Sequence, residues 1–229
     1  MTAQIQDIKK ESKDNSSRSS NSEWGGSGEI SISGFFDGIG YLLDWQEEVL
    51  RKRKEIVGIV GLDVMVHSIV QHSNYYIFNP RIRGNWGIFS SDFRVNYLLE
   101  ETINGNDDLL TYDWQIIQLN FINTKNAIVR IGTGILQETF GGKQSFLEWG
   151  ASTNLMFKEN KMGGFAEFRS ARDYETGVFP RREISLQLHH QLFQAGILHG
   201  FTSAGFQFQR YYNKINAWGI QLGLVFRFY

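Results

Sequence analysis

The last twelve residues of the chain alternate without interruption between large apolar side chains and small or polar ones. One face carries Trp218, Ile220, Leu222, Leu224, Phe226 and Phe228, and the other carries Gly219, Gln221, Gly223, Val225 and Arg227. Successive side chains of a β-strand point to opposite faces, so this period of two predicts a strand with one apolar and one polar face. At about 3.3 Å per residue the strand is long enough to cross a bilayer when it is tilted.

The same alternation recurs along most of the chain, interrupted by short clusters of Asn, Ser, Gly, Asp and Lys. Ten strands are predicted, at residues 57–70, 74–88, 92–101, 112–122, 126–138, 146–158, 162–171, 182–193, 200–212 and 215–229. Tight turns are expected at 90–91, 123–126 and 159–161, and longer loops at 102–110, 139–145 and 172–181. We therefore predict an all-β fold, an antiparallel up-and-down transmembrane β-barrel of about ten strands, with eight to twelve compatible with the pattern.

The N-terminal quarter of the chain differs from the rest in composition and lacks the strand alternation. Residues 1–28 are rich in Ser, Gly and charged residues and are predicted to be a disordered tail. Residues 29–55 are predicted to hold a short strand and then an amphipathic helix over 41–55, and residues 56–229 to form the barrel. The N-terminus lacks a basic segment followed by an apolar core, so no signal peptide is predicted, and Thr2-Ala3-Gln4 is typical of the start of a processed chain.

Composition excludes several classes of function. A net charge of −1 argues against a nucleic-acid partner, and the absence of cysteine removes thiol chemistry and disulfides. Mean hydropathy is −0.30 and no run of 18 apolar residues occurs, which excludes a spanning helix. A membrane barrel stays compatible with these values because its strands are half polar.

The polar faces of the predicted strands are unusual for a water-facing sheet. All ten lysines lie in the tail, the predicted helix, loops or strand ends, whereas arginines, carboxylates and glycines occupy the middle of strands. Arginine forks paired with carboxylates suit a narrow enclosed lumen. The predicted lumen charge network comprises Asp63, Arg81, Arg83, Arg94, Arg130, Glu148, Glu167, Arg169 and Arg227.

These features together resemble the small outer-membrane β-barrel proteins of Gram-negative bacteria, in particular the aromatic-rich, Asn-rich ones of Bacteroidetes. The resemblance covers residues 56–229 and implies contact with outer-membrane lipid. It also implies a C-terminal signal read by the barrel assembly machinery. The matching residues are Leu222, Leu224, Phe226, Phe228 and Tyr229, where Phe228 holds the register of the signal and Tyr229 is one residue extra.

No catalytic, cofactor or metal site is predicted. His67 and Ser68 are adjacent, and so are His189 and His190, so the members of each pair point to opposite faces of a strand. A metal site needs three or four converging ligands, and a catalytic serine needs its base on the same face. His189 is expected to be a hydrogen-bonded filler of the lumen.

The predicted function is that of an integral outer-membrane barrel with a side-chain-filled lumen, acting structurally or binding an envelope protein partner through its longer loops. Two alternatives remain open at this stage. A soluble or periplasmic lipocalin-like barrel would carry a hydrophobic ligand, with its apolar face inward and its arginines toward water. An outer-membrane lipid or peptide hydrolase would need Ser, His and a carboxylate converging at one rim.

Overall fold

The computed structural model describes residues 4–19, 60–71, 75–102, 105–124, 126–141, 143–157 and 161–228. They form one N-terminal helix and a closed antiparallel barrel of ten strands. The barrel is the architecture that the alternation predicts. The elements are α1 (Gln4–Ser19), β1 (Val60–Gln71), β2 (Tyr75–Trp86), β3 (Phe89–Thr102), β4 (Gly105–Asn123), β5 (Ala127–Glu138), β6 (Ser145–Phe157), β7 (Met162–Arg172), β8 (Arg181–Ala195), β9 (Leu198–Tyr211) and β10 (Ile215–Phe228).

Each strand pairs with its neighbours in sequence, and β10 pairs with β1 to close the barrel. In the closing pair Leu62 lies opposite Phe228 and Val70 opposite Ile220, so the terminal strand is paired along most of its length. Closure leaves no free sheet edge.

The two ends of the barrel differ. We call the end where β1 begins and β10 finishes the terminal end, and the opposite end the helix end, because α1 lies across it. The longest connections, 139–144 and 173–180, are both at the helix end, where the alternation of loop lengths places them.

The prediction of a disordered tail over residues 1–28 is wrong for Gln4–Ser19, which form α1. Buried residues recur on one side of the helix at Ile5, Ile8, Ser12 and Asn15, a helical spacing that the abundance of Ser, Asp and Lys obscures in the sequence. Both isoleucines pack into a cluster of side chains contributed by the barrel wall. The helix therefore forms through tertiary contacts rather than by local propensity.

The predicted loop over 102–110 is also wrong. β3 continues to Thr102 and β4 starts at Gly105, so most of this stretch extends a hairpin. Asp107 of the extension accepts a hydrogen bond from Gln6 of α1 at 2.9 Å. Contact with the helix thus accompanies a strand extension whose Gly-Asn-Asp-Asp sequence is typical of a turn.

The predicted strand and amphipathic helix within 29–55 lie outside the described residues, as does Tyr229. Across the part of the chain that the structure describes, no helix is long and apolar enough to cross a membrane.

The barrel is polar inside and apolar outside. Interior positions of β10 include the buried Gln221, Val225 and Arg227, whereas Ile220 and Leu222 on its outer face are 62% and 58% exposed. The same division holds on β8, where Glu183 is buried and Leu188 is 67% exposed. The predicted assignment of the two faces is confirmed as a division between barrel interior and outer surface.

Candidate functional site

The middle of the barrel is filled by a continuous set of ion pairs, which we call the central network. It contains five arginines and five carboxylates, all essentially buried: Arg81, Arg83, Arg94, Arg169 and Arg181 with Asp92, Asp113, Glu148, Glu167 and Glu183. Positive and negative groups alternate along the set, so every described member contacts a group of opposite charge. Within the network the charges balance.

Two arginines of the central network reach across the lumen. Arg81 on β2 donates to Glu167 on β7 through both terminal nitrogens, at 2.8 and 2.6 Å. Arg94 on β3 makes the corresponding forked contact with Glu183 on β8, including a bond of 2.9 Å from Nη2 to Oε2. These bidentate pairs connect opposite walls, so side chains span the middle of the lumen.

Shared partners link these crossing pairs. Asp113 forms ion pairs with Arg94 at 2.6 Å and with Arg181 at 2.7 Å. Asp92 forms ion pairs with Arg81 and Arg83, each at 2.7 Å. A carboxylate has room for several donors, which is how one Asp can serve two guanidinium groups. Buried ion pairs of this kind add little net stability, because the cost of desolvating the charges offsets much of their attraction.

All nine predicted lumen residues face the interior and are buried. Six belong to the central network, and the other three, Asp63, Arg130 and Arg227, lie nearer the terminal end. The prediction missed Asp92, Asp113, Arg181 and Glu183, because Asp92, Asp113 and Glu183 fall at the ends of predicted strands and Arg181 falls in the predicted loop 172–181. Their position in phase with Arg94, Gln115 and Ser185 was the available signal, since residues two apart share a face.

Histidines and serines of the interior do not assemble a catalytic triad among the described residues. His67 and His189 both face the lumen, and Ser203 lies between them in the pairing of β1, β10, β9 and β8. The Ser203 hydroxyl and Nε2 of His67 each lack a hydrogen-bond partner there, so the two groups are not bonded to each other. His189 contacts Gln187 at 3.2 Å, as expected for a lumen filler.

The N-terminus of α1 is bound by a carboxylate of the barrel wall. The backbone N–H groups of Gln4 and Ile5 donate to Glu100 of β3 at 3.0 and 2.8 Å. The first N–H groups of a helix have no partner within the helix, and the helix dipole favours a negative group there. Glu100 therefore caps the N-terminus of α1 from the barrel wall.

The second half of α1 is bound at the opposite side of the helix end. Ser12 donates to Glu138 at 2.8 Å and Asn15 donates to Asp173 at 2.7 Å. Tyr212, in the β9–β10 turn, also donates to Glu138, and its pKa is raised by burial and by the adjacent carboxylate.

Asp173 in the β7–β8 connection is held in its ionised form. Burial alone would raise the pKa of this carboxyl, but hydrogen bonds from Thr176 and Asn15, and from the backbone N–H groups of Glu175 and Thr176, outweigh burial and lower the pKa below its usual value of 3.8. Helix α1 is thus attached at both its ends by carboxylates that accept hydrogen bonds.

Among the described residues, no group of three or more His, Asp or Glu side chains is placed to hold a metal ion. No protein-family model matches the chain, and no curated protein matches it.

Proposed function

We propose that this chain is an integral outer-membrane β-barrel protein with a structural role, whose lumen is closed by side chains and by α1. The observation that carries the proposal is the inverted distribution of polarity, with a buried ionic interior and an apolar outer surface. A Leu or Ile side chain that is fully exposed to water lacks about 1.5–3 kcal/mol of the stabilisation that burial would give it. Contact with the lipid of a bilayer removes this cost.

Aromatic residues on the outer surface support a membrane orientation. Tyr76 lies near the helix end of β2 and Trp86 is the last residue of the same strand at the terminal end. Trp218 lies near the helix end of β10, and like Trp86 it is about half exposed. Tyr and Trp at both ends of spanning strands are typical of the aromatic girdles at membrane interfaces.

The polarity of the interior favours this proposal over a carrier of a hydrophobic ligand. A carrier of that kind needs an apolar cavity, whereas Arg81, Arg94 and their carboxylate partners occupy the middle of this lumen. A hydrolase is less well supported, because Ser203 and the interior histidines lie in a side-chain-filled lumen and are not bonded to one another.

The first experiment is membrane fractionation combined with gel mobility of unheated and boiled samples. A membrane barrel is expected in the outer-membrane fraction, with an unheated band that migrates differently from the boiled one. Recovery in the soluble fraction without a heat-dependent shift would reject the proposal.

The lack of cysteine allows a direct test of topology. Lys10→Cys places a thiol on the exposed side of α1, and Ile197→Cys places one in the β8–β9 turn at the terminal end. With the helix end outside the cell, a membrane-impermeant maleimide labels only Lys10→Cys in intact cells and both variants after lysis. Labelling of both in intact cells, or of neither, would contradict this orientation.

A partner-binding role at the helix end has one specific observation in its favour. The β7–β8 connection exposes Tyr174 (65% exposed), with Arg172 stacked over its ring at 5.1 Å and over Phe179 at 5.5 Å. Exposed aromatic and arginine side chains are the residues that most often dominate protein interfaces.

We propose this cluster as the contact site for an envelope protein. A photocrosslinking residue replacing Tyr174 is expected to yield a discrete adduct in cells, and one replacing Ile197 at the other end serves as the control. Equal adducts from both positions, or none from Tyr174, would count against the binding role.

A further inference from the structure

The charges of the barrel interior do not cancel. The central network is balanced, with five arginines and five carboxylates, so the remainder of the buried strand charges decides the sum. Of that remainder, Glu100 and Glu138 lie at the helix end and bind α1, whereas Arg130, Arg227 and Asp63 lie nearer the terminal end. Among the described buried charges nearer the terminal end, one positive charge is therefore unmatched.

Arg130 is the residue that lacks a counter-charge. It is 2% exposed and makes one hydrogen bond, from Nη2 to Oδ1 of Asn85 at 3.2 Å. Its Nε and Nη1 have no hydrogen-bond partner among the described residues, and no described carboxylate forms an ion pair with it. A buried guanidinium without an acceptor is costly, and in native proteins such groups are nearly always paired or bound to an anion.

The surroundings of Arg130 are basic. Arg83, Asp63 and Arg227 occupy one row of paired residues across β2, β1 and β10. Asp63 is the only carboxylate of these three residues, and its contact with Arg227 is long, at 3.9 Å. The shortest ion pair of Arg83 is with Asp92 of the central network, at 2.7 Å. Asp92 continues the row on β3, opposite Arg83, but it also binds Arg81 and Arg169. Asp63 is thus the one carboxylate of the row that lies outside the central network.

Further donors near Arg130 are also unused. Ser152 of β6 lies directly opposite Arg130 in the β5–β6 pairing, on the same interior face, and its hydroxyl has no partner in the described structure. Nη2 of Arg83 and Nε of Arg227 form no hydrogen bond there, and each has only a long ion pair, with Glu167 at 3.7 Å and with Asp63 at 3.9 Å respectively. Opposed side chains on neighbouring strands have Cβ atoms about 5 Å apart, so the Ser152 hydroxyl can share a ligand with the Arg130 guanidinium.

We propose that the lumen near the terminal end binds a small oxyanion of the phosphate type, held by Arg130 and Ser152 with Arg227 and Arg83 adjacent. Guanidinium forks match the oxygen geometry of phosphate, and one bound anion would supply the missing negative charge and the missing acceptors. The inference rests on the interior alone and is independent of where the barrel resides in the cell.

The test uses the full chain folded in detergent micelles, with inorganic phosphate as the probe and chloride at the same ionic strength as the reference. Thermal unfolding of the wild-type protein is expected to shift upward by about 5–10 °C at a phosphate concentration of ~100 Kd, with a calorimetric stoichiometry of one. A shift that chloride reproduces would reveal general charge screening and overturn the proposal, as would no shift at all.

Two interior variants have opposite expectations. Arg130→Gln removes an unmatched charge, so without phosphate it should be at least as stable as the wild type, and phosphate should no longer stabilise it. Arg94→Gln removes a fully paired charge, so it should be destabilised in every buffer while keeping the phosphate shift. Retention of the shift by Arg130→Gln would overturn the site.

A milder variant, Ser152→Ala, tests the site if Arg130→Gln does not fold. Ser152→Ala deletes an unpartnered hydroxyl and is expected to fold normally, while its phosphate affinity falls about ten- to hundredfold, the effect of losing one hydrogen bond to a charged group. Unchanged affinity in Ser152→Ala together with an unfolded Arg130→Gln would reject the assignment. Arg210→Gln, on the exposed face of β9, serves as the surface control and should behave like the wild type.

Discussion

Replacing Arg94 by Met tests whether the central network holds the barrel together. The guanidinium contacts Asp113 at 2.6 Å and Glu183 at 2.9 Å, and all three side chains are at most 2% exposed. The variant leaves two buried carboxylates that must share Arg181, which reaches Asp113 at 2.7 Å but Glu183 only at 3.9 Å. Glu183 therefore loses most of its charge compensation.

Removing one partner of a buried ion pair typically costs about 3–5 kcal/mol, because an uncompensated charge remains in a low-dielectric interior. We expect Arg94→Met to lower the free energy of unfolding by this amount. The double variant Arg94→Met/Glu183→Leu should recover part of it, since the stranded carboxylate is gone. Urea unfolding in micelles, followed by tryptophan fluorescence, measures both effects as shifts of the midpoint.

Arg210→Gln is the matched control, since the side chain of this exposed arginine hydrogen-bonds only to the backbone oxygen of Asn213 among the described residues. Surface changes of this kind are usually within about 0.5 kcal/mol of neutral. If Arg94→Met costs no more than the control, or if the double variant is less stable than the single one, the account of the network is wrong.

Other predictions concern α1 and the closed lumen. Glu100→Gln weakens the attachment of the helix N-terminus by about 1–2 kcal/mol, seen as faster amide exchange in residues 4–8. Ile8→Asp places a charge in an apolar cluster and releases the helix to added protease, whereas Lys10→Asp on its exposed side does not. The folded-state pKa of Asp173 is lowered, so its contribution to helix attachment is complete above about pH 3.8 and is lost as the pH falls through the lowered value. Wild type and Asp173→Asn should therefore differ in α1 exchange at pH 5 and converge in stronger acid. Planar bilayers containing the wild-type protein should show no stepwise conductance, and steady open channels would contradict a filled lumen.

Local sequence pattern was sufficient to predict the barrel wall. Alternation of apolar and polar residues is a property of each strand by itself, so ten strands and the division of their faces could be predicted without any contact information. The nine predicted interior charges were found in the same way, because a charge in the middle of an alternating strand has only one face available to it.

Contacts between distant segments could not be predicted in this way. Glu100 caps a helix that begins 96 residues earlier, and Ser12 donates a hydrogen bond to Glu138, 126 residues later in the chain. Because the apolar side of α1 consists only of Ile5 and Ile8, its local pattern is too weak to indicate a helix. The boundaries of β4 were missed for a related reason, since its first residues are paired with β3 and bonded to α1.

The sequence by itself determined which side chains would face each way, because the pleat of a strand assigns alternate residues to opposite faces. Only the tertiary structure decided which charges meet, because barrel closure sets Arg81 against Glu167 and Arg94 against Glu183 from opposite walls. It also left Arg130 without a carboxylate, an outcome that depends on strand order and register rather than on any local pattern.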